Sequence, residues 1–324
     1  MISLTDIKKP IAGHIDRFED YFRDTMKSKV PLLSVITNYI LRTKGKQMRP
    51  ILVFLSAKMY SEPQEGTYVA ASLIELLHTA SLIHDDVVDE APERRGAFSI
   101  YTLWKTKVAV LVGDYLLAKG LMLSVEKDRF DILKIVSQAV KEMSEGELLQ
   151  IEKARKLDIN EEVYFEIIRQ KTATLIAACT AAGARSVGAD EHTVATMHSF
   201  GEKLGIAFQI KDDLFDYQPK GLIGKPVGND IKEKKMTLPL IYALQKTDKK
   251  TKREVLRKIN KYNNNKEKVA EIIQFVTESG GLEYARTRME DYVQQALTTL
   301  DTLPETPARE SMRMLVHYAI VRKK

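Results

Sequence analysis

The residues of this chain best equipped for chemistry are two clusters of aspartate. Asp85, Asp86 and Asp89 close the apolar stretch VAASLIELLHTASLIHDDVVD that begins at Val69, and Asp212, Asp213 and Asp216 close a second that begins near Val194. Both read D-D-x-x-D. On a helix Asp85 and Asp89 are i,i+4 neighbours, as are Asp212 and Asp216, so each cluster crowds its carboxylates onto about one turn. In open solvent such repulsion is small, about 0.2–0.5 kcal/mol per pair. At the rim of a cleft, two unit charges about 4 Å apart repel by roughly 4 kcal/mol at an effective dielectric near 20, and a counter-cation is needed. The apolar stretches leading into both clusters favour the cleft. Carboxylates without histidine or cysteine suit Mg2+, which takes one or two of them and fills its shell with water and phosphate oxygens.

A metal held against phosphate calls for further cations, and the sequence supplies them. Arg94 and Arg95 follow the first cluster in DDVVDEAPERRG, where a turn after Pro92 can aim two guanidinium forks at anionic oxygens; taken alone they are a pair of surface arginines. His78 stands seven residues before Asp85, on nearly the same helix face, although a lone histidine there is more often a satisfied core residue. Lys46 and Arg49, in GKQMRP, precede a helix starting near Pro50, whose N-terminus favours phosphate.

The elements that must position these groups are helical. Apolar residues recur at helical spacing, for instance Ile11, Ile15, Phe18 and Phe22, then Met197, Phe200, Leu204 and Phe208, while strand-like alternation is hard to find. Turn signals fall at Ser61 to Pro63, Ala91-Pro92, Gly188 to Asp190, Gly221 to Gly228 and Gly280-Gly281. No Pro/Gly/Ser-rich linker or fixed repeat divides the chain, so the expectation is an all-α protein with one large helical domain over residues 1–324.

Composition narrows the class. With 324 residues, 44% hydrophobic and 29% charged, the chain is neither disordered nor collagen-like. One cysteine, Cys179, excludes an internal disulfide and a thiolate zinc site. The longest uninterrupted apolar runs, Ile51 to Leu55 and Val108 to Val112, are too short to span a bilayer, and MISLTDIKKP lacks a secretory apolar stretch. A soluble cytoplasmic protein is expected. Between Lys246 and Lys268 stand ten Lys/Arg against three Asp/Glu, a local +7 within a total of +6, so the remainder is near neutral at −1. That segment reads as a solvated helix and loop rather than a nucleic-acid surface, with attraction to anionic lipid as the functional alternative.

These motifs, in this order, match a family. Both aspartate clusters, the RRG after the first, EGELLQ and QKTATL in the middle, FQIKDDLFD, and GKPVGNDIKEKKMTLP beyond it resemble the trans-isoprenyl diphosphate synthases, also called polyprenyl synthetases, from Gly45 to the tail YAIVRKK. The pattern is more similar to the long-chain members, such as octaprenyl and heptaprenyl diphosphate synthases, than to the short-chain ones. The resemblance implies helices around a deep central cavity, usually in a homodimer, and a reaction in which an ionised allylic diphosphate alkylates isopentenyl diphosphate. It implies that Asp85, Asp86, Asp89, Asp212, Asp213 and Asp216 hold Mg2+ against the allylic diphosphate, and that Arg94, Lys171, Lys225 and Lys235 stabilise the leaving pyrophosphate. Lys46, Arg49, His78 and Arg95 are then the isopentenyl diphosphate site, with Thr172 and Gln209 near the reacting carbons. Departures are mild: Lys44 replaces a glycine, Gln47 stands where arginine is frequent, and Asn229 precedes Asp230 where an acidic pair is common.

Product length turns on Ala80 and Ser81, about 7.5 and 6 Å behind Asp85 at 1.5 Å per residue. Short-chain members of the family carry a bulky aromatic near that depth, so small residues imply a product longer than geranylgeranyl diphosphate. The structural alternative is that they let neighbouring helices approach. The competing functions are a short-chain synthase, a terpene cyclase, whose second metal motif is an Asn/Ser/Glu pattern, and a silent partner subunit, which typically lacks one aspartate motif.

Overall fold

The computed structural model describes residues 2–43, 45–94, 96–157, 159–217 and 228–321. Helices follow the apolar periodicity: α1 Leu4–Lys8, α2 Ala12–Thr25, α3 Pro31–Arg42, α4 Met48–Lys58 and α5 Glu65–Val88. A two-residue hairpin, β1 Glu93–Arg94 and β2 Ala97–Phe98, leads into α6 Ile100–Glu126, α7 Phe130–Lys156, α8 Glu161–Ile168, α9 Thr174–Ser186 and α10 Glu191–Phe215. There follow α11 Asn229–Lys232, α12 Leu238–Gln245, α13 Lys249–Tyr262, α14 Lys266–Glu278, α15 Gly281–Asp301 and α16 Pro307–Val321. The all-α expectation holds, the hairpin being the one sheet among the described residues.

The chain gathers into two compact units built from interleaved stretches. One comprises Met1–Val140, Ala178–His198 and Leu303–Met312, the other Lys141–Ala177, Ser199–Thr302 and Arg313–Lys324. Neither is a continuous piece of chain, which is why no linker composition marks the division.

In the first unit α5 is the central element. A reciprocal cap between Gln64 and Thr67 starts it, and Leu73, Ile74 and Leu76 along it are fully buried. Helix α6 lies close against it. A Cβ added at Gly120 would stand 3.0 Å from Leu73 Cδ1, and one at Gly113 would strike the His84 ring at 2.1 Å. Leu73, Leu76 and His84 therefore form the stripe that meets α6, and Ala80 falls on the same stripe at steps of three, four and four residues. Ala80 is 3% exposed. Its small size fits the approach of α6, the packing alternative raised from the sequence, as well as the chain-length role expected there. Ser81 lies on the neighbouring stripe one turn behind Asp85, half-buried, with its hydroxyl donating to the His78 carbonyl at 2.9 Å.

Both α5 and α6 are long and apolar enough to cross a membrane by length and composition, which the short uninterrupted runs in the sequence understate. Burial separates them. The apolar window of α5 is 67% buried, as a core helix should be, whereas that of α6 is 39% buried. Leu111, Met122 and Val125 of α6 are left exposed.

The second unit has its own core, drawn from Ile168, Ile210, Leu214, Leu238, Leu240 and Val276 among others. Tyr242 of α12 stacks on Tyr284 of α15 with ring centroids 4.1 Å apart. Overpacking tests the reading of the first unit: Ala80→Phe should force α5 and α6 apart and destabilise the fold by about 1–3 kcal/mol. Thermal unfolding checks this, and a wild-type Tm would show that Ala80 does not face α6.

Candidate functional site

Each aspartate cluster sits at the carboxyl end of a long helix, α5 or α10, and neither last turn carries a basic residue. A helix C-terminus already bears about half a negative charge, so carboxylates are disfavoured there. The inner aspartate of each cluster is buried, Asp86 at 2% and Asp213 at 6% exposure. Asp85 and Asp89 are exposed, and Asp212 and Asp216 are half-buried.

At the first cluster the chain reverses to bring in a cation. Glu90 takes a left-handed conformation, φ 49°, that ends α5, and the Ala91 N–H donates to the Asp86 carbonyl at 3.0 Å. Ser99 caps α6 by accepting from the Thr102 N–H at 3.1 Å while its hydroxyl donates to the Ala91 carbonyl at 2.7 Å. Between these anchors Arg94 returns to the cluster, and its Nε donates to Asp86 Oδ1 at 2.6 Å. Burial pushes the Asp86 carboxyl above the usual range, the Arg94 bond and charge hold it back, and Asp89 adds to the rise.

His78, Asp86 and Arg94 line one cleft, whose α5 wall is the face carrying residues 75, 78, 79, 82, 83 and 86. Gln47 also lines it, in a left-handed backbone, φ 52°, at the start of α4. Lys46 is exposed and Arg49 half-buried, and neither is among the lining residues. Arg95 lies outside the described residues, as do Lys44 and Lys225.

At the second cluster a chain of hydrogen bonds orders the expected groups. The Thr172 hydroxyl donates to Gln209 Oε1 at 2.8 Å, and Gln209 Nε2 donates to Asp213 Oδ1 at 2.8 Å. The other Asp213 oxygen accepts from the Tyr164 hydroxyl at 2.7 Å. Tyr164, in α8, was not singled out from the sequence; its signal is its place one element before QKTATL. Lys171 and Thr172 themselves lie on a five-residue π-helical turn, Arg169–Ala173, a form that recurs at functional sites. Two glycines let neighbouring helices approach this turn. A Cβ at Gly146 of α7 would come within 2.8 Å of the Lys171 nitrogen, and one at Gly205 of α10 within 2.5 Å of Ala173 Cα. Lys171 pairs there with Glu147.

Asp216 turns its carboxylate to the backbone instead, accepting from the Asn229 N–H at 2.8 Å and the Asp230 N–H at 3.0 Å at the start of α11. This brings in a further acid. The buried Asp213 carboxyl is pushed up to about 7, by burial first and by Asp230 next, with Asp212 adding to the rise against the bonds from Tyr164 and Gln209. Asp216 is also raised by burial, opposed by its two backbone donors and by Lys235, whose ammonium pairs with Glu233. Cys179 is fully buried with its thiol pushed up to about 12, so it is no nucleophile.

The inner carboxylates are thus buried and tied to the protein, while the outer ones lie nearer solvent, Asp216 among them being held by backbone donors. The donors are hard oxygens, and among the described residues no three metal-binding side chains close into a cage. That suits an ion holding few protein ligands. The rise at Asp213 comes from burial first, with the neighbouring carboxylates Asp230 and Asp212 adding to it.

Comparison with known proteins gives consistent matches. A model of the polyprenyl synthetase family fits residues 30–276. An all-trans-nonaprenyl-diphosphate synthase (geranyl-diphosphate specific) of Rhodobacter capsulatus is 35% identical over 98% of this chain and 97% of its own length. A crystal structure of a polyprenyl synthase from Caulobacter crescentus CB15, complexed with calcium and isoprenyl diphosphate, superposes with a TM-score of 0.91 at 30% identity over 99% and 98% of the two chains. A geranylgeranyl pyrophosphate synthase from Bacteroides thetaiotaomicron does so with a TM-score of 0.85 at 38% identity, over 99% and 100%.

Protonation of Asp213 generates a prediction. Its folded pKa lies above the unfolded value of 3.8, so the stability it contributes is present below pH 3.8 and is lost as pH rises through about 7. In chelating buffer, Asp213→Asn should therefore gain on the wild type across that window, by up to about 1.4 kcal/mol per pH unit. Paired thermal melts measure the difference, and a constant offset would refute the assignment.

Proposed function

Because the chain belongs to the polyprenyl synthetase family, we propose that it condenses isopentenyl diphosphate with an allylic diphosphate, such as farnesyl or geranylgeranyl diphosphate, to a trans-polyprenyl diphosphate longer than geranylgeranyl. It is a prenyltransferase of isoprenoid biosynthesis. The observation that carries the reading is the pair of D-D-x-x-D helix ends, each with its inner carboxylate anchored and its outer ones nearer solvent.

Mg2+ fits each cluster by donor chemistry, Asp85, Asp86 and Asp89 at the end of α5 and Asp212, Asp213 and Asp216 at the end of α10 being the proposed holders, and it would offset the negative charge that develops on the departing diphosphate. The rest falls to the chain. Arg94, fixed by Asp86 and about a third exposed, keeps its guanidinium at the cleft for diphosphate oxygens. Lys171 adds a second cation from the π-helical turn. Thr172 and Gln209 hold each other in one orientation beside Asp213 and carry no basic atom, so the released proton is assigned to the departing pyrophosphate. Leu82, Ile83 and Phe98 give the cleft an apolar wall that keeps water from a cationic carbon. Lys46, Arg49 and Arg95 remain proposed for isopentenyl diphosphate, Lys225 and Lys235 for pyrophosphate.

A homodimer in the cytoplasm belongs to the same reading. The exposed residues Leu111, Met122 and Val125 stand on the side of α6 away from the glycines packed on α5, with Val110 and Leu121 on its flank, and a second copy would cover them. Light scattering should report a dimer, with Leu111→Glu shifting it toward monomer.

Incubation with farnesyl diphosphate, labelled isopentenyl diphosphate and Mg2+ should yield a linear product longer than geranylgeranyl by mass spectrometry. A cyclic hydrocarbon, or no product, would overturn the reading, as would full turnover after exhaustive chelation. Ser81→Phe, one turn behind Asp85, should shorten the product by whole isoprene units with Tm unchanged. An unaltered product would remove Ser81 from the path of the tail.

A further inference from the structure

The structure separates the charges of the basic segment by role. Lys258 bonds Glu254 and, across to α14, Glu271, which ties the two helices, while Lys268 bonds the same Glu271 from within α14. Val255 and Ile259 bury the inner face of α13 in the core of its unit, at 4% and 1% exposure. On the opposite side Lys250, Arg253, Arg257 and Lys261 recur at steps of three, four and four, which sets them in one exposed stripe roughly 16 Å long. Lys246, Lys249, Lys252 and Lys266, close by in the sequence, are also exposed. The acids nearby are already engaged: Asp248 caps α13 through the Lys250 and Thr251 N–H groups, and Glu254 is bound to Lys258.

Cations so arranged repel one another and take no part in the packing of the helix, so the stripe is open to a polyanion outside the fold. Its chemistry favours lipid over nucleic acid. The stripe has no interleaved aromatics for bases to stack on, and a helix anchored along its inner face presents a straight row of charges suited to a planar array of phosphates. The product also points there, and this step rests on the proposed function: a diphosphate on a long hydrocarbon tail is an amphiphile that water will not hold, and a bilayer is its receptor.

We propose that the outer face of α13 docks the protein on anionic lipid headgroups, placing the synthase where its product is delivered. The contact is electrostatic and peripheral, because Val255 and Ile259 of α13 are occupied by the core and the outer stripe is charged throughout.

Co-sedimentation of the substrate-free protein with phosphatidylcholine vesicles, with and without phosphatidylglycerol, tests this. The wild type should bind only the anionic vesicles and be released by salt. With about fivefold in partitioning per cation, equivalent to about 1 kcal/mol each, the combined Lys250→Gln, Arg253→Gln, Arg257→Gln and Lys261→Gln variant should bind at least about a hundredfold more weakly. Its circular dichroism and its turnover in detergent should match the wild type. Equal binding to neutral vesicles, undiminished binding by the variant, or tighter binding to a DNA duplex than to anionic vesicles at the same ionic strength would each overturn the proposal. Product length measured in detergent reports separately on the reaction, so failure of one claim is not mistaken for failure of the other.

Discussion

Carboxylates gathered at the negative end of a helix are electrostatically unfavourable, and this chain has them at the ends of α5 and α10 alike. Much of the surrounding structure is a response to that constraint. Around α5 the backbone reverses through a left-handed Glu90 and a capped α6, and Arg94 comes back onto the buried Asp86. Around α10 no arginine among the described residues is bonded to Asp213. The inner carboxylate there is held by neutral donors, Tyr164 and Gln209, and keeps its proton up to about pH 7. Two solutions to one problem leave both helix ends with an appetite for positive charge, the property a diphosphate-ionising site requires.

Close backbone approach supplies the precision. Glycines at 146 and 205 admit helices to the π-helical turn carrying Lys171 and Thr172, and any larger side chain would meet main-chain atoms there. In the first unit, glycines at 113 and 120 let α6 lie on α5, along the stripe on which Ala80 falls. Small residues on an apolar helix thus have two separable meanings, helix packing along the stripe of Ala80 and, at Ser81, one turn behind an exposed carboxylate, the path of a growing tail.

Charge placement far from the site follows a different logic. Lysines that bond acids on α14 stabilise the fold, whereas the stripe on the outer face of α13 has no role inside the protein. The segregation appears only once the buried face of α13 is known, since the sequence alone allowed an ordinary solvated helix.

What the sequence determined by itself was the helical class, the two aspartate clusters and their i,i+4 pairing, and the family, because periodicity and motif spacing are local properties of the chain. The hairpin that returns Arg94 to Asp86, the link from Tyr164 to Asp213 across 49 positions, and the capture of Asp216 by the start of α11 were decided by tertiary structure. So was the rank within each cluster. D-D-x-x-D gives three equivalent letters, and only burial makes the middle one an anchor and leaves the others nearer solvent. Desolvation and long-range hydrogen bonds depend on which residues the fold brings together, and a linear pattern carries no measure of either.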